Sequence, residues 1–168
     1  MLYALTAPQF IKTLKNLNAI LDKASAYADT KKFDIDVVLQ ARLAPDQFNF
    51  IRQVQITCDT AKLGCSRLAG KPAPEHADTE KTLPEIKARI ASTISYLESL
   101  KESDFSKAAQ VEITTPRWEG KTLTGEQYAI HHAVPNFYFH VTTAYSILRH
   151  NGVDLGKKDF LGPMPFKA

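Results

Sequence analysis

The segment Asn136–Gly152, NFYFHVTTAYSILRHNG, reads as one helix carrying a single well-placed histidine, His140. The core-facing stripe of that helix is Val134, Phe137, Val141, Ala144 and Leu148. On a helical wheel His140 lies to one side of the stripe, in line with Ile147, and Asn136 lies one turn earlier on the same flank. Three roles compete for His140: metal ligand, catalytic base, or a histidine hydrogen-bonded across a bundle. A metal site would want a second imidazole or carboxylate at position 136, because asparagine is a poor donor for zinc or nickel. His132 stands four residues before Asn136, so His132, Asn136 and His140 make a metal-like row if the helix is continuous. Pro135 tests that continuity. It has no N–H, and its ring clashes with the carbonyl four residues back, that of His131, so the helix is kinked or split here.

An earlier helix carries Gln53, Gln55 and Asp59 among apolar neighbours. Gln55 and Asp59 flank its stripe four residues apart, which allows them to face Asn136 and His140. Cys58 is on the stripe itself. It is read either as half of a cysteine–histidine nucleophile pair or, more simply, as a small buried hydrophobe. Trp118 beside Arg117 is read as a ligand lid or as cover for the end of a bundle. His76 falls in a loop, and His150 sits at a helix C-terminus where its charge suits the dipole. The chain has no phosphate loop, dinucleotide fingerprint, paired-cysteine zinc motif or nucleophile elbow.

The elements that must position these residues are helices. Thr6–Gln9 (TAPQ), Thr82–Glu85 (TLPE) and Thr124–Gln127 (TGEQ) each fit the Thr-x-x-Glu/Gln capping box, and a fourth start falls at LAPDQF near Pro45. Apolar residues at helical spacing follow each start: Phe10 to Ala24, Ile51 to Leu68 ending at Gly70, Leu83 to Leu100, and Val134 to Leu148 ending at Asn151-Gly152. Four such stripes are buried most simply in an all-α four-helix bundle with long crossover loops. In the last crossover QVEITT and KTLT flank PRWEG, which suggests a small hairpin between the third and fourth helices.

With 168 residues the chain suits one domain, residues 1–168, with a substantial core. Twenty-one basic and 18 acidic residues leave a net charge of +3. The charges are scattered, which argues against nucleic acid as a partner. No run of apolar residues is long enough for a membrane span. The start, MLYALTAPQFIKTLK, lacks the layout of a signal peptide. Cys58 and Cys65 are seven residues apart on one helix, about 10 Å along its axis and out of disulfide reach. A reducing cytoplasm is therefore expected.

The stretches PNFYFHVTTAYSILRHNGVDLGKKDFLG and LAPDQFNFIRQVQITCDTAKLGCSRLAGK resemble an uncharacterised domain-of-unknown-function family grouped with the DinB/YfiT-like metalloenzymes. The resemblance implies a bundle of up-down-down-up order, often a homodimer. It also implies a divalent metal, nickel or zinc, on three histidines, one from helix two and two from a His-x-x-x-His on the last helix. Some members are thiol-dependent transferases or isomerases. Here His140 matches the second position of that motif, Asn136 the first, and Gln55 or Gln53 the helix-two position. Neutral amides in place of imidazoles weaken a divalent site.

These readings converge on a polar pocket between helices two and four. It is a degenerate metal site that binds a small molecule, built from His140, Asn136, Gln55, Asp59, Gln53 and Trp118. The alternative is a divalent-metal-dependent transferase or hydrolase with His140 and His132 as metal ligands. Phe139 and Tyr138 lie away from the core stripe. They are expected either to form a two-fold dimer interface or to be covered by the tail, through Phe160, Leu161 and Phe166.

Overall fold

The computed structural model describes residues 1–167. In chain order its elements are α1 (Leu2–Leu5), α2 (Ala7–Lys31), α3 (Ile35–Leu39), α4 (Phe50–Ala69), α5 (Leu83–Ser99), β1 (Glu112–Ile113), β2 (Leu123–Thr124), α6 (Gly125–Tyr128), α7 (Val134–His150) and α8 (Lys157–Leu161). The all-α expectation holds. Among the described residues no helix is long and apolar enough to cross a membrane.

Helix ends follow local chemistry, and two differ from the sequence expectation. The box at Thr124 forms: Thr124 Oγ1 accepts from the Gln127 N–H at 3.2 Å, and Gln127 Oε1 accepts from the Thr124 N–H at 3.1 Å. At Thr82 the Glu85 carboxylate reaches back to the Thr82 N–H at 3.0 Å. The box at Thr6 does not form. The short helix α1 precedes it, and Thr6 Oγ1 donates to the Leu2 carbonyl at 2.7 Å instead. The helix expected from Pro45 begins only at Phe50, because Asn49 Oδ1 accepts from the Arg52 N–H at 3.0 Å and caps it.

Side-chain contacts fix how the long helices run. Between α2 and α5, Lys15 meets Glu98 at 2.7 Å and Asp22 meets Lys87, so these helices are antiparallel. Between α4 and α7, Gln53 meets His140, Thr60 meets Asn136 and Arg67 meets Tyr128 just before α7, again antiparallel. Between α4 and α5, Asp59 meets Arg89 and the Lys71 carbonyl meets Tyr96, so this pair is parallel. Phe10 of α2 stacks on Phe137 of α7 with centroids 4.2 Å apart, and Tyr27 lies against Gly152. The core between the four helices is Phe10, Leu14, Leu21, Val54, Cys58, Ile86, Ile90, Phe137, Ala144 and Leu148, all essentially inaccessible. Small residues let α4 and α7 approach: a Cβ on Gly64 would stand 3.4 Å from the Ala133 Cβ.

The hairpin expectation also holds. β1 and β2 pair antiparallel, Glu112 with Thr124 and Ile113 with Leu123, and a short 3-10 turn at Pro116–Trp118 sits at its tip. The tail takes a different course from the one that would cover Phe139. α8 packs on α2, where Asn16 donates to the Phe160 carbonyl at 2.9 Å and Lys23 pairs with Asp159 at 2.7 Å. Phe160 meets Tyr145, while Phe139 stays 58% exposed. Tail cover of Phe139 is therefore corrected: polar anchors on α2 direct the tail elsewhere.

Candidate functional site

Pro135 neither splits the last helix nor isolates His132. A π-turn at Ala129–Ala133 links α6 to α7 and accommodates the hydrogen bond that Pro135 cannot make. The chain therefore stays helical from Gly125 to His150, and His132, Asn136 and His140 all line one cavity. Its volume is about 430 Å³. The opposite wall is a stripe of α4 that includes Arg52, Ile56, Thr60, Leu63 and Arg67, and the hairpin tip contributes Arg117 and Trp118.

His140 is buried, and its Nδ1 lies 2.7 Å from Gln53 Oε1. Gln53 Nε2 donates to the Phe48 carbonyl at 3.2 Å, which leaves Oε1 as the acceptor. His140 Nδ1 therefore carries the proton, and Nε2 is left as an acceptor. Burial, then the positive charge of Arg52, pushes the His140 pKa below its ordinary value, so the ring is neutral at neutral pH. Asn136 Nδ2 donates to Thr60 Oγ1 at 2.8 Å. His132 packs edge-on to Trp118 with centroids 5.5 Å apart and tilted against Tyr128 at 5.4 Å. Burial and the nearby Arg67 lower its pKa too. Arg67 donates to the Tyr128 hydroxyl at 2.9 Å.

Of the residues read from the sequence, His140, Asn136, Asp59, Trp118 and His132 line the cavity. Gln53 stands behind His140 as its partner. Gln55 does not face Asn136 or His140. Its amide donates to Glu80 at 2.9 Å and its oxygen accepts from Arg52 at 3.1 Å. Of the two glutamines, Gln53 is the one whose side chain reaches His140. Asp59 reaches the cavity edge, but its carboxylate is held by Arg89 at 2.6 Å and Lys62 at 3.2 Å. Cys58 is fully buried against Thr93 on the α5 side, and burial pushes its thiol up to about 12, which removes the nucleophile reading.

Sequence reasoning missed the cations. Arg52 and Arg67 line the cavity from the α4 face together with Thr60, whereas the sequence reading of that helix took up only its core stripe and the flanking Gln53, Gln55 and Asp59. Arg89 was also missed. It falls between Ile86 and Thr93 on the α5 stripe, is 3% exposed, and binds Asp59, Asp78 at 2.7 Å and Glu80 at 2.9 Å. An arginine on a core stripe implies buried carboxylates nearby.

These donors do not fit the metal that the resemblance implies. His140 Nδ1 is committed to Gln53, the Asn136 amide to Thr60, and the His132 ring is packed between Trp118 and Tyr128. Among the described residues no three His, Cys, Asp or Glu side chains converge as a metal site. A divalent ion needs several charged or strongly basic donors, and here one free imidazole faces neutral amides and a hydroxyl.

Residues 2–161 match the family model described as a domain of unknown function, DUF1993. The chain belongs to that family. A DinB family member protein from Shewanella denitrificans, known from a crystal structure at 1.83 Å, is 63% identical to it. That likeness covers 100% of this chain and 96% of the other, with a TM-score of 0.97, so this DUF1993 chain is DinB-like as the motifs suggested. No curated protein matches it.

Proposed function

We propose that this DUF1993 protein binds a small molecule in the cavity between α4 and α7, at what was a metal site in the wider superfamily. One observation carries the reading: His140 and Asn136, the counterparts of metal-binding histidines, each satisfy an α4 side chain yet still line a cavity of about 430 Å³. That volume suits a compact ligand. The unsatisfied His140 Nε2 and Asn136 Oδ1 are acceptors for it. No step through a metal belongs to this reading.

The antiparallel and parallel helix pairs described above support a four-helix bundle of up-down-down-up order, and we take residues 1–168 as one domain, with Ala168 outside the described residues. Exposed Phe139 supports the homodimer, and substituting it with Asp is expected to yield a monomer by light scattering. An unchanged dimer, or a monomeric wild type, would remove that assignment. The free thiols Cys58 and Cys65 support a cytoplasmic location.

An NMR fragment screen tests the pocket. Trp118 is the only tryptophan in the chain, so its indole N–H signal reports on the cavity. Fragment hits are expected to shift that signal and to be lost in the cavity-filling variant Ile56→Phe. Hits that leave it unmoved, or that bind the variant equally well, would overturn the reading.

A further inference from the structure

The cavity's charge balance narrows its ligand. Arg52, Arg67 and Arg117 line it, and Asp59 is its one carboxylate. Asp59 is already doubly paired with Arg89 and Lys62. Arg52 is matched by Asp78 at 2.6 Å. Arg67 has a hydroxyl partner, Tyr128, but no carboxylate partner among the described residues, and the same absence holds for Arg117. The two histidines are held neutral and so add nothing to this surplus, which rests on the arginines. Half-buried Arg67 is fixed at the cavity wall, with its guanidinium carbon 5.8 Å from the Tyr128 ring centroid. A planar guanidinium held in place is suited to a bidentate oxyanion.

The same end of the cavity is aromatic. Trp118, Tyr128 and His132 touch one another with centroids 5.4 to 6.0 Å apart, and Ile56, Leu63 and Pro116 complete the lining. Flat apolar surface beside an unopposed cation complements a flat ligand with an anionic edge.

We propose that the pocket takes an aryl or heteroaryl carboxylate, its carboxylate on Arg67 and Arg117 and its ring against Trp118 and His132. This rests on the small-molecule reading above and specifies the ligand's class. The test is calorimetric titration with 2-naphthoate and its neutral counterpart 2-naphthamide, each into wild type, Arg67→Met/Arg117→Met and Arg67→Lys/Arg117→Lys. Charge-assisted hydrogen bonds lead us to expect wild type to favour the carboxylate by roughly tenfold or more. That preference should vanish in the methionine variant, return in part with lysine, and shrink as salt is raised. Equal binding of acid and amide by wild type would overturn the anionic class and leave the pocket reading standing. A preference that survives in the methionine variant would overturn the assignment to these arginines. If neither compound binds while neutral fragments from the screen still shift Trp118, the aryl-acid class falls alone. If no fragment binds either, the pocket falls with it.

Discussion

Helix α4 presents two polar faces that look alike in composition and differ in charge bookkeeping. Toward α5, Arg89 is enclosed by Asp59, Asp78 and Glu80, and Arg52 and Lys62 close the edges by pairing with Asp78 and Asp59. Burial works against the charge on Arg89, but the bond from Glu80 and the field of Asp59 outweigh it and hold its pKa above the ordinary value. Burial likewise opposes the charges on Asp78 and Glu80, and their bonds to Arg52 and Arg89 outweigh it, so both stay below the usual carboxylate range. Toward α7 the polar groups are neutral amides, imidazoles and a hydroxyl around an open cavity, and Arg67 and Arg117 have no carboxylate partner among the described residues. A closed, neutralised cluster straps the loop carrying Asp78 and Glu80 onto α4 and α5. An unneutralised one has capacity left for a ligand. On the reading proposed above, whether a polar residue's partners are already present is what separates the structural face of α4 from the binding one.

The sharpest way to break this comparison is to remove one arginine from each face. Arg89→Met leaves Asp59, Asp78 and Glu80 facing each other without their shared cation. It is expected to cost about 3–5 kcal/mol in urea unfolding, as stripping one partner from a buried ion network does. Arg67→Met should stay within roughly 0.5–1 kcal/mol of wild type, because it removes one hydrogen bond and no ion pair. Equal costs would mean that the α7 face is as structural as the α5 face.

A smaller effect is expected at His140. His140→Ala should cost about 1–3 kcal/mol, since Gln53 Oε1 loses its donor in a buried site. The fold should survive with an unchanged far-ultraviolet circular dichroism spectrum, and fragment binding at Trp118 should be lost. A variant that simply unfolds, with His140→Gln folded and still binding fragments, would make His140 structural only.

The smallest effect, and the one that separates the faces most finely, is the pH dependence of the unfolding midpoint. His132 and His140 have folded pKa values below the ordinary 6.5, so the unfolded chain takes up protons that the folded state refuses. Their contribution is complete above that pH and declines as pH falls below it. His76 is shifted the same way on the α5 side, by burial and then by Lys62 and Arg89, and adds to this window. Asp78 and Glu80 are depressed from 3.8 and 4.5, so the α5 cluster keeps its contribution until pH falls below those values. Two declines are therefore expected. The double variant His132→Gln/His140→Gln should reduce the upper one and leave the lower one in place. An upper decline untouched by that variant would assign it to His76 instead.

Much of the architecture was legible before any coordinates. Stripes such as Phe10, Leu14, Leu17 and Leu21 can be buried only on a helix, and PRWEG between two extended runs can close only as a turn. The place of His140 beside, rather than opposite, its core stripe was legible in the spacing, while its bond to Gln53 needed the facing helix. The Thr6 box misled because a capping pattern is local, and a preceding helix, α1, offered Thr6 a different acceptor.

What the sequence by itself determined is the periodicity of each element and therefore which residues share a face. What only the tertiary structure decided is which faces meet and which partners they find. Gln53 rather than Gln55 reaches His140 because α4 is rotated so that Gln55 points at Glu80. The row His132, Asn136 and His140 stays together because a π-turn absorbs Pro135. Arg67 has no carboxylate partner among the described residues while Arg89 has three, although both are arginines on amphipathic helices. The physical reason is that pairing energy depends on groups far apart in the chain, and helical spacing carries no information about the charge that will stand on the opposite side of the bundle.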